Sequence, residues 1–480
     1  GQVSLGITPA TLAWRRNFGA GVPFRSSYDV SLFLADVRRI REMGVDLKPF
    51  PIDAVSGSLG AEFRYIVYDD KPSRLEATAD LSKLAMDFPI LNWRKKKGVD
   101  GTAELEVLLK NGVITNIPRF SVYAGDMALA GSARYAADGT GLNRVDLKQI
   151  SYGKTDMSGA LIPADDGSWT VSFHGTSFDM KPFLDELLKE KPADEGGGLA
   201  RMRFSMSVDL GRVWLGEGRS FDGVVGTFSR AGNKWRSMSV DGRTGKNNPF
   251  NIKITPGAKG NRVLKITAKD AGAFIKALGY YDNMVGGTLK ITGTFDDRQS
   301  SQPLEGRLLV KDYRVIKAPA LARLVSIMAL TGILEAIQGD GLAFTSLDVP
   351  FTFSDGVLDI ENAKATGLSL GYTAKGKLYT YAQVVDIQGT VVPAYAINTV
   401  LGKIPILGEI FNGGEEGGGV FAATYTMTGP IENPKVAMNP LSVLAPGILR
   451  NLFGILKPKP ANSKLFMNST QSDLFDNAEN

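Results

Sequence analysis

MRFSMSVDL, residues 202–210, reads as a strand with two chemistries. Met202, Phe204, Met206, Val208 and Leu210 alternate with Arg203, Ser205, Ser207 and Asp209, so one face is apolar and the other wet. The same period of two returns at Phe250, Ile252 and Ile254 against Asn251, Lys253 and Thr255. It returns again at Leu289, Ile291 and Phe295 against Lys290, Thr292 and Thr294. Strands of this kind need a common side on which to turn their apolar residues.

Short turn signals punctuate the pattern: Ala137-Asp138-Gly139, Asp165-Asp166-Gly167, Asp222-Gly223, Asp241-Gly242, Gly286-Gly287 and Ser354-Asp355-Gly356. Strands joined this way predict a long antiparallel meander, not a βαβ fold. The 55 glycines among 480 residues, beside an ordinary charged fraction of 22%, point to turns and not to disorder. The expected fold class is mainly β: an elongated, twisted antiparallel groove built from repeated units, with a few amphipathic helices.

One helix is expected near residues 29–44, capped by Asp29, with Val30, Phe33, Leu34, Val37 and Ile40 as its stripe and Gly44 at its end. A weak repeat links residues 167–188, GSWTVSFHGTSFDMKPFLDELL, with 260–279, GNRVLKITAKDAGAFIKALG. Both run turn, strand, Asp, short helix, which makes Asp179 and Asp270 helix caps and not a catalytic pair. Between the copies, 189–198 (KEKPADEGGG) is a charged Pro/Gly linker. The expected segments are 1–80, 81–190, 199–310, 311–456 and a disordered polar tail, 457–480.

Little in the chain promises chemistry. There is no cysteine and a single histidine, His174, on the polar side of its strand opposite Trp169, Val171 and Phe173. A lone surface imidazole predicts neither a catalytic base nor a metal ligand. Glu415-Glu416 lies in a glycine-rich loop with nothing to raise a carboxylate pKa, and Gly417-Gly418-Gly419 leads into no helix that could hold a phosphate. No catalytic residue, metal or cofactor is expected. A net charge of +5, with both signs interspersed, argues against nucleic acid as a partner. The one basic run, Trp93 to Lys97, reads best as a solvated loop.

Apolar segments gather towards the end of the chain. Residues 319–337, PALARLVSIMALTGILEAI, are apolar nearly all round; Leu324 and Met328 lie on one stripe and Leu334 on another. Such a helix is either buried in a core or set between protein and lipid. From 392 to 411, Ile397, Leu401 and Ile404 precede Pro405, and Leu407, Ile410 and Phe411 follow it. Each run is shorter than a membrane span requires. No secretory signal opens the chain, so it is expected to begin inside a longer polypeptide with any anchor upstream.

These closing residues carry a resemblance. The segments 319–344, 389–414 (GTVVPAYAINTVLGKIPILGEIFNGG) and 421–454 (FAATYTMTGPIENPKVAMNPLSVLAPGILRNLFG) resemble the carboxy-terminal part of AsmA-like proteins of Gram-negative bacteria, in the branch related to YhdP and TamB. Upstream, 91–101 (LNWRKKKGVDG), 150–162 (ISYGKTDMSGALI) and 268–293 look like that branch's repeat units. The resemblance covers roughly residues 85–455.

It implies a periplasmic protein, anchored to the inner membrane, whose β-groove moves phospholipids between the inner and outer membranes. Phe204, Met206, Val208, Phe250, Ile252, Ile254, Leu289, Ile291 and Phe295 would line the groove and meet acyl chains. The helical runs at 392–411 and 440–453, the latter with Leu449 and Phe453, would close its end or lie in a membrane interface. Envelope proteins are possible partners. The alternative implied by the same family is a scaffold or chaperone for outer-membrane proteins, working through an exposed strand edge.

Overall fold

A computed structural model describes the whole chain except residues 6–7, 20, 44–51, 137–140, 188–202, 233, 328–338, 368, 394–422, 432 and 439–480. The linker at 189–198, the tail, Met328, Leu334 and every candidate interface residue from Ile397 to Phe453 lie outside the described residues. The rest is mainly β, as the period of two predicts. Two compact units divide it, Gly1–Asp282 and Asn283–Asn480.

In the first unit each strand of the main sheet pairs with the next main-sheet strand in chain order, from Gln2–Leu5 to Arg262–Ala268. All of these pairings are antiparallel but one. Trp169–Asp179 and Phe204–Gly216 run parallel, so the strands on either side of 189–198 belong to a single sheet. Val55–Gly57, Leu84–Phe88 and Trp93–Lys95 form a separate small sheet. In the second unit each described strand from Met284–Phe295 to Lys435–Met438 pairs antiparallel with the next.

Three expectations are corrected. The helix near 29–44 is instead the strand Ser26–Leu34 followed by a 3-10 turn, Val37–Met43. Tyr28, Val30, Leu32 and Leu34 fit a period of two as well as any helical stripe, and Asp29 caps nothing: it pairs with Arg64 at 2.6 Å on the next strand. Next, Asp222-Gly223, Asp241-Gly242 and Gly286-Gly287 are not turns but lie inside strands. There they mark a register shift after Asp222, a ring packed on Gly242, and a local backbone irregularity within an unbroken register, where Gly286, Gly287 and Asp312 all have positive φ.

The third correction concerns the basic run. Trp93 and Lys95 are buried and Arg94 and Lys96 exposed, the alternation of a strand. Lys95 Nζ donates to the carbonyls of Leu81 at 2.7 Å and Leu84 at 2.9 Å, and Trp93 Nε1 donates to Asp126 at 2.7 Å. Burial pulls the Lys95 ammonium below its usual pKa. This segment ties the small sheet to the large one. With Leu81, Leu84 and Tyr152 it contributes to the core of the first unit beside Leu32, Leu34 and Leu59.

The repeat is present as expected. Helices Lys181–Leu187 and Ala271–Ala277 each follow their strand through an aspartate. Asp270 accepts from the Ala273 amide at 2.9 Å, and Asp179 from the Lys181 amide at 3.1 Å.

Candidate functional site

A sheet whose strands alternate chemistry shows its function in the rows that run across it, since residues paired in register share a face. In the first unit one row begins at Leu12, Val30, Phe63, Ala77, Leu105 and Phe120. It continues without a break through Gly131, Leu147, Gly159, Phe173 and Val208 to Gly226, Val240, Ile252 and Ile266. Every position is aliphatic, phenylalanine or glycine. A second row holds Met206, Phe228, Met238, Ile254 and Leu264.

The second unit repeats the device. Leu289, Val310, Leu347, Ala365, Tyr372, Val391 and Ala423 stand in one row. Its other face carries Thr294, Glu305, Thr352, Asp359, Lys377, Asp386, Thr428 and Lys435 in register. One face of each unit is greasy across its strands and the other is charged, with pairs such as Arg212–Asp222 at 2.7 Å and Lys377–Asp359 at 3.5 Å. The nine groove-lining candidates all fall on the apolar faces. Phe250, Ile254 and Leu289 are buried, while Phe204, Met206, Val208, Ile252, Ile291 and Phe295 are half-buried.

Half-burial is the informative state. A core sheet seals its apolar face under a second layer. That holds where the small sheet packs and where the helix Ala271–Ala277 sets Phe274 against Phe221 and Phe250, with ring centroids 5.5 and 5.2 Å apart. Along Phe173, Val208, Ile252 and Ile266 the apolar side chains stay partly open to solvent.

Sequence reasoning missed what bends these sheets. Phe120 pairs with Gly131, Phe173 with Gly159, Phe250 with Gly242, Phe351 with Gly306, and Tyr425 with Gly389. In each pair an atom of the aromatic side chain, a ring carbon of the phenylalanines and Oη of Tyr425, lies 2.5–2.8 Å from where a Cβ would stand, and at Gly159 that Cβ would also lie 2.2 Å from the Ser172 carbonyl. Such glycines let a sheet curve towards the face they line. The signal was present as glycine inside alternating runs, but only the register shows what lies opposite.

The second unit is demonstrably curled. Helix Pro319–Ile327 follows the strand Leu304–Val315 yet touches Lys435–Met438, six pairings away. On a flat sheet six steps cover about 29 Å sideways. The backbone from Val315 to Arg323 reaches about 20 Å. Lys435 is also in register with Glu305, ten residues before Val315 and so about 34 Å away along the strand, and only a twisted, curled sheet brings the two together.

Among the described residues, the apolar face of the second unit carries the hydroxyls of buried tyrosines. Tyr425 Oη donates to the Thr373 carbonyl at 2.9 Å, and burial pushes its pKa above the ordinary phenol range. Burial also raises Tyr372, which the Tyr313 hydroxyl partly offsets. Both phenols stay neutral at physiological pH. Arg230 stands in register with Phe204 and Trp235 at one edge, its guanidinium 5.3 Å from the Trp235 ring.

His174 is exposed on the polar face of the first unit, with Nε2 2.9 Å from Ser158 Oγ. Asp209 is its register partner on the other side, but among the described residues no ion pair joins the two. Leu324 is buried in its helix. No family profile, no curated protein and no solved structure matches the chain.

Proposed function

We propose that the chain carries phospholipid acyl chains along the apolar faces of its units, moving lipid between the inner and outer membranes of a Gram-negative envelope without catalysing a reaction. The supporting observation is the row from Leu12 to Ile266: unbroken apolar register, half-open to solvent, on a sheet whose opposite face is wet. The AsmA-like resemblance of residues 85–455 leads to the same reading, and with it to a periplasmic location and an upstream inner-membrane anchor.

The physical need is plain. Exposing an acyl chain to water costs about 0.8 kcal/mol per methylene, so two sixteen-carbon chains amount to roughly 25 kcal/mol. An apolar face offers shelter through contacts that are indifferent to position, so a chain can slide along it. Neither a nucleophile nor a metal is needed for that.

The faces can be compared directly. A photoreactive phenylalanine analogue at Val208 should capture phospholipid in cells, while the same analogue at Ser207, one residue along on the wet face, should not. Equal capture at both positions, or none at Val208, would refute the proposal.

A further inference from the structure

The helix Pro319–Ile327 leaves its sheet at one edge and is fastened at the other. Its root follows Val315 and is held by Asn283, whose backbone carbonyl accepts from the Ile316 amide at 2.9 Å and whose Nδ2 donates to the Lys317 carbonyl at 2.8 Å. Lys317 itself adopts φ +46°, an uncommon conformation for a residue with a side chain. At the far side Arg323 donates to the Pro434 carbonyl at 3.1 Å and to Asn433 Oδ1 at 2.9 Å. Those two residues form the turn between Ala423–Pro430 and Lys435–Met438.

The far attachment lies at the opposite end of the strands from the root. Lys435 stands in the row that contains Glu305, at the start of the strand that Val315 ends. The helix thus joins two places that stand six pairings apart in the sheet. Leu324 and Ala318 are buried, while Arg323 and Ser326 are exposed: an apolar side faces in and a polar side faces out. Both acceptors of Arg323 are neutral and the guanidinium is exposed, so the fastening is one that water can replace.

We propose that this helix is a strap over the apolar face of the second unit, hinged at Lys317 and latched by Arg323, and that release of the latch admits an acyl chain. The proposal rests on the reading that the face binds acyl chains, and it adds the control of entry. Opening costs two hydrogen bonds and the burial of Leu324. A ligand that occupies the face replaces the apolar contact, so the open strap and the loaded face favour each other.

The chain has no native cysteine, which makes the test clean. A variant carrying Arg323→Cys and Asn433→Cys is treated with a short bis-maleimide, or blocked at both sites with N-ethylmaleimide as the unlatched control. Uptake of dansyl-labelled undecanoic acid is followed by stopped-flow fluorescence, with folding checked by circular dichroism. The linked protein should take up the probe at least about tenfold more slowly than the blocked one, the factor that one charge-assisted hydrogen bond represents. Arg323→Gln, which needs no chemistry, should speed uptake over the parent by a similar factor.

Equal rates in the linked and blocked proteins would overturn the strap and leave acyl-chain binding standing. Failure of the bis-maleimide to join the two sites in a folded protein would overturn it on geometry. No probe uptake by the parent or any variant would remove the acyl-chain reading, and the strap with it.

Discussion

Two glycines in strands of the first unit should respond to the same substitution with opposite signs. Gly60, in Leu59–Val67, has nothing within 4 Å of where a Cβ would stand and has no positive φ. Gly60→Ala should therefore stabilise by about 0.4 to 1 kcal/mol, through the smaller entropy of the unfolded chain. Gly159, in Thr155–Pro163, would place its Cβ 2.2 Å from the Ser172 carbonyl oxygen, where an ordinary carbon–oxygen contact is about 3.3 Å. The neighbouring strand must retreat by about 1 Å. Two ladder hydrogen bonds are then misaligned at about 1 kcal/mol each, and Phe173 is pushed off its rotamer at about 1 kcal/mol more. Set against the same entropic gain, Gly159→Ala should lose about 2 kcal/mol. All five tryptophans, at positions 14, 93, 169, 214 and 235, lie in the first unit, so urea unfolding followed by tryptophan fluorescence reports on this unit alone. Equal midpoints for Gly60→Ala and Gly159→Ala would refute the idea that ring-on-glycine pairs set the bend.

Lys95→Met should destabilise the first unit by about 2 kcal/mol, because the buried carbonyls of Leu81 and Leu84 lose their donor; the same unfolding assay measures it. Because burial depresses the folded-state pKa of Lys95, the unfolded chain holds the extra proton in the interval below 10.5. Its contribution to stability therefore increases as pH rises through that interval, and the parent should show this increment while Lys95→Met does not. Asp270→Ala removes the cap of Ala271–Ala277 and should cost about 1 kcal/mol, seen as faster amide exchange at Ala273 and Phe274. The Arg38 guanidinium draws the Asp36 carboxyl down to about 2, so this ion pair should persist below the ordinary carboxylate pKa and be lost only as pH falls through about 2, as an NMR titration of Asp36 would show.

Strand chemistry was legible in the sequence because the period of two is local: Phe204 to Leu210 declares its two faces without reference to any partner. The caps at Asp179 and Asp270 were equally local. What the sequence could not show is which residues stand opposite one another. Gly242 and Gly287 look like turn residues until register puts Phe250 against one and the positive-φ Asp312 against the other. Residues 29–34 satisfied a helical stripe and a strand alternation at once, and tertiary pairing with Arg64 and Phe63 decided between them. Lys95 was hidden for the same reason, since a run of basic residues reads as solvated unless alternate members point inward onto carbonyls, here at the start of the paired strand and just before it. The lining candidates Met206, Val208, Ile252 and Leu289 were named from alternation alone, and register joined them into rows with partners such as Val240 and Val310 that had not been singled out.

The central claim is that these rows hold lipid. The most direct measurement is quantitative mass spectrometry of an organic extract from the purified, undenatured chain, beside the variant Val208→Glu/Leu347→Glu with its fold verified by circular dichroism. The account predicts phospholipid at one or more molecules per chain in the parent and a severalfold loss in the variant. A folded parent that carries no lipid, or a variant that retains as much, would contradict it and turn attention to strand-edge contacts with client proteins.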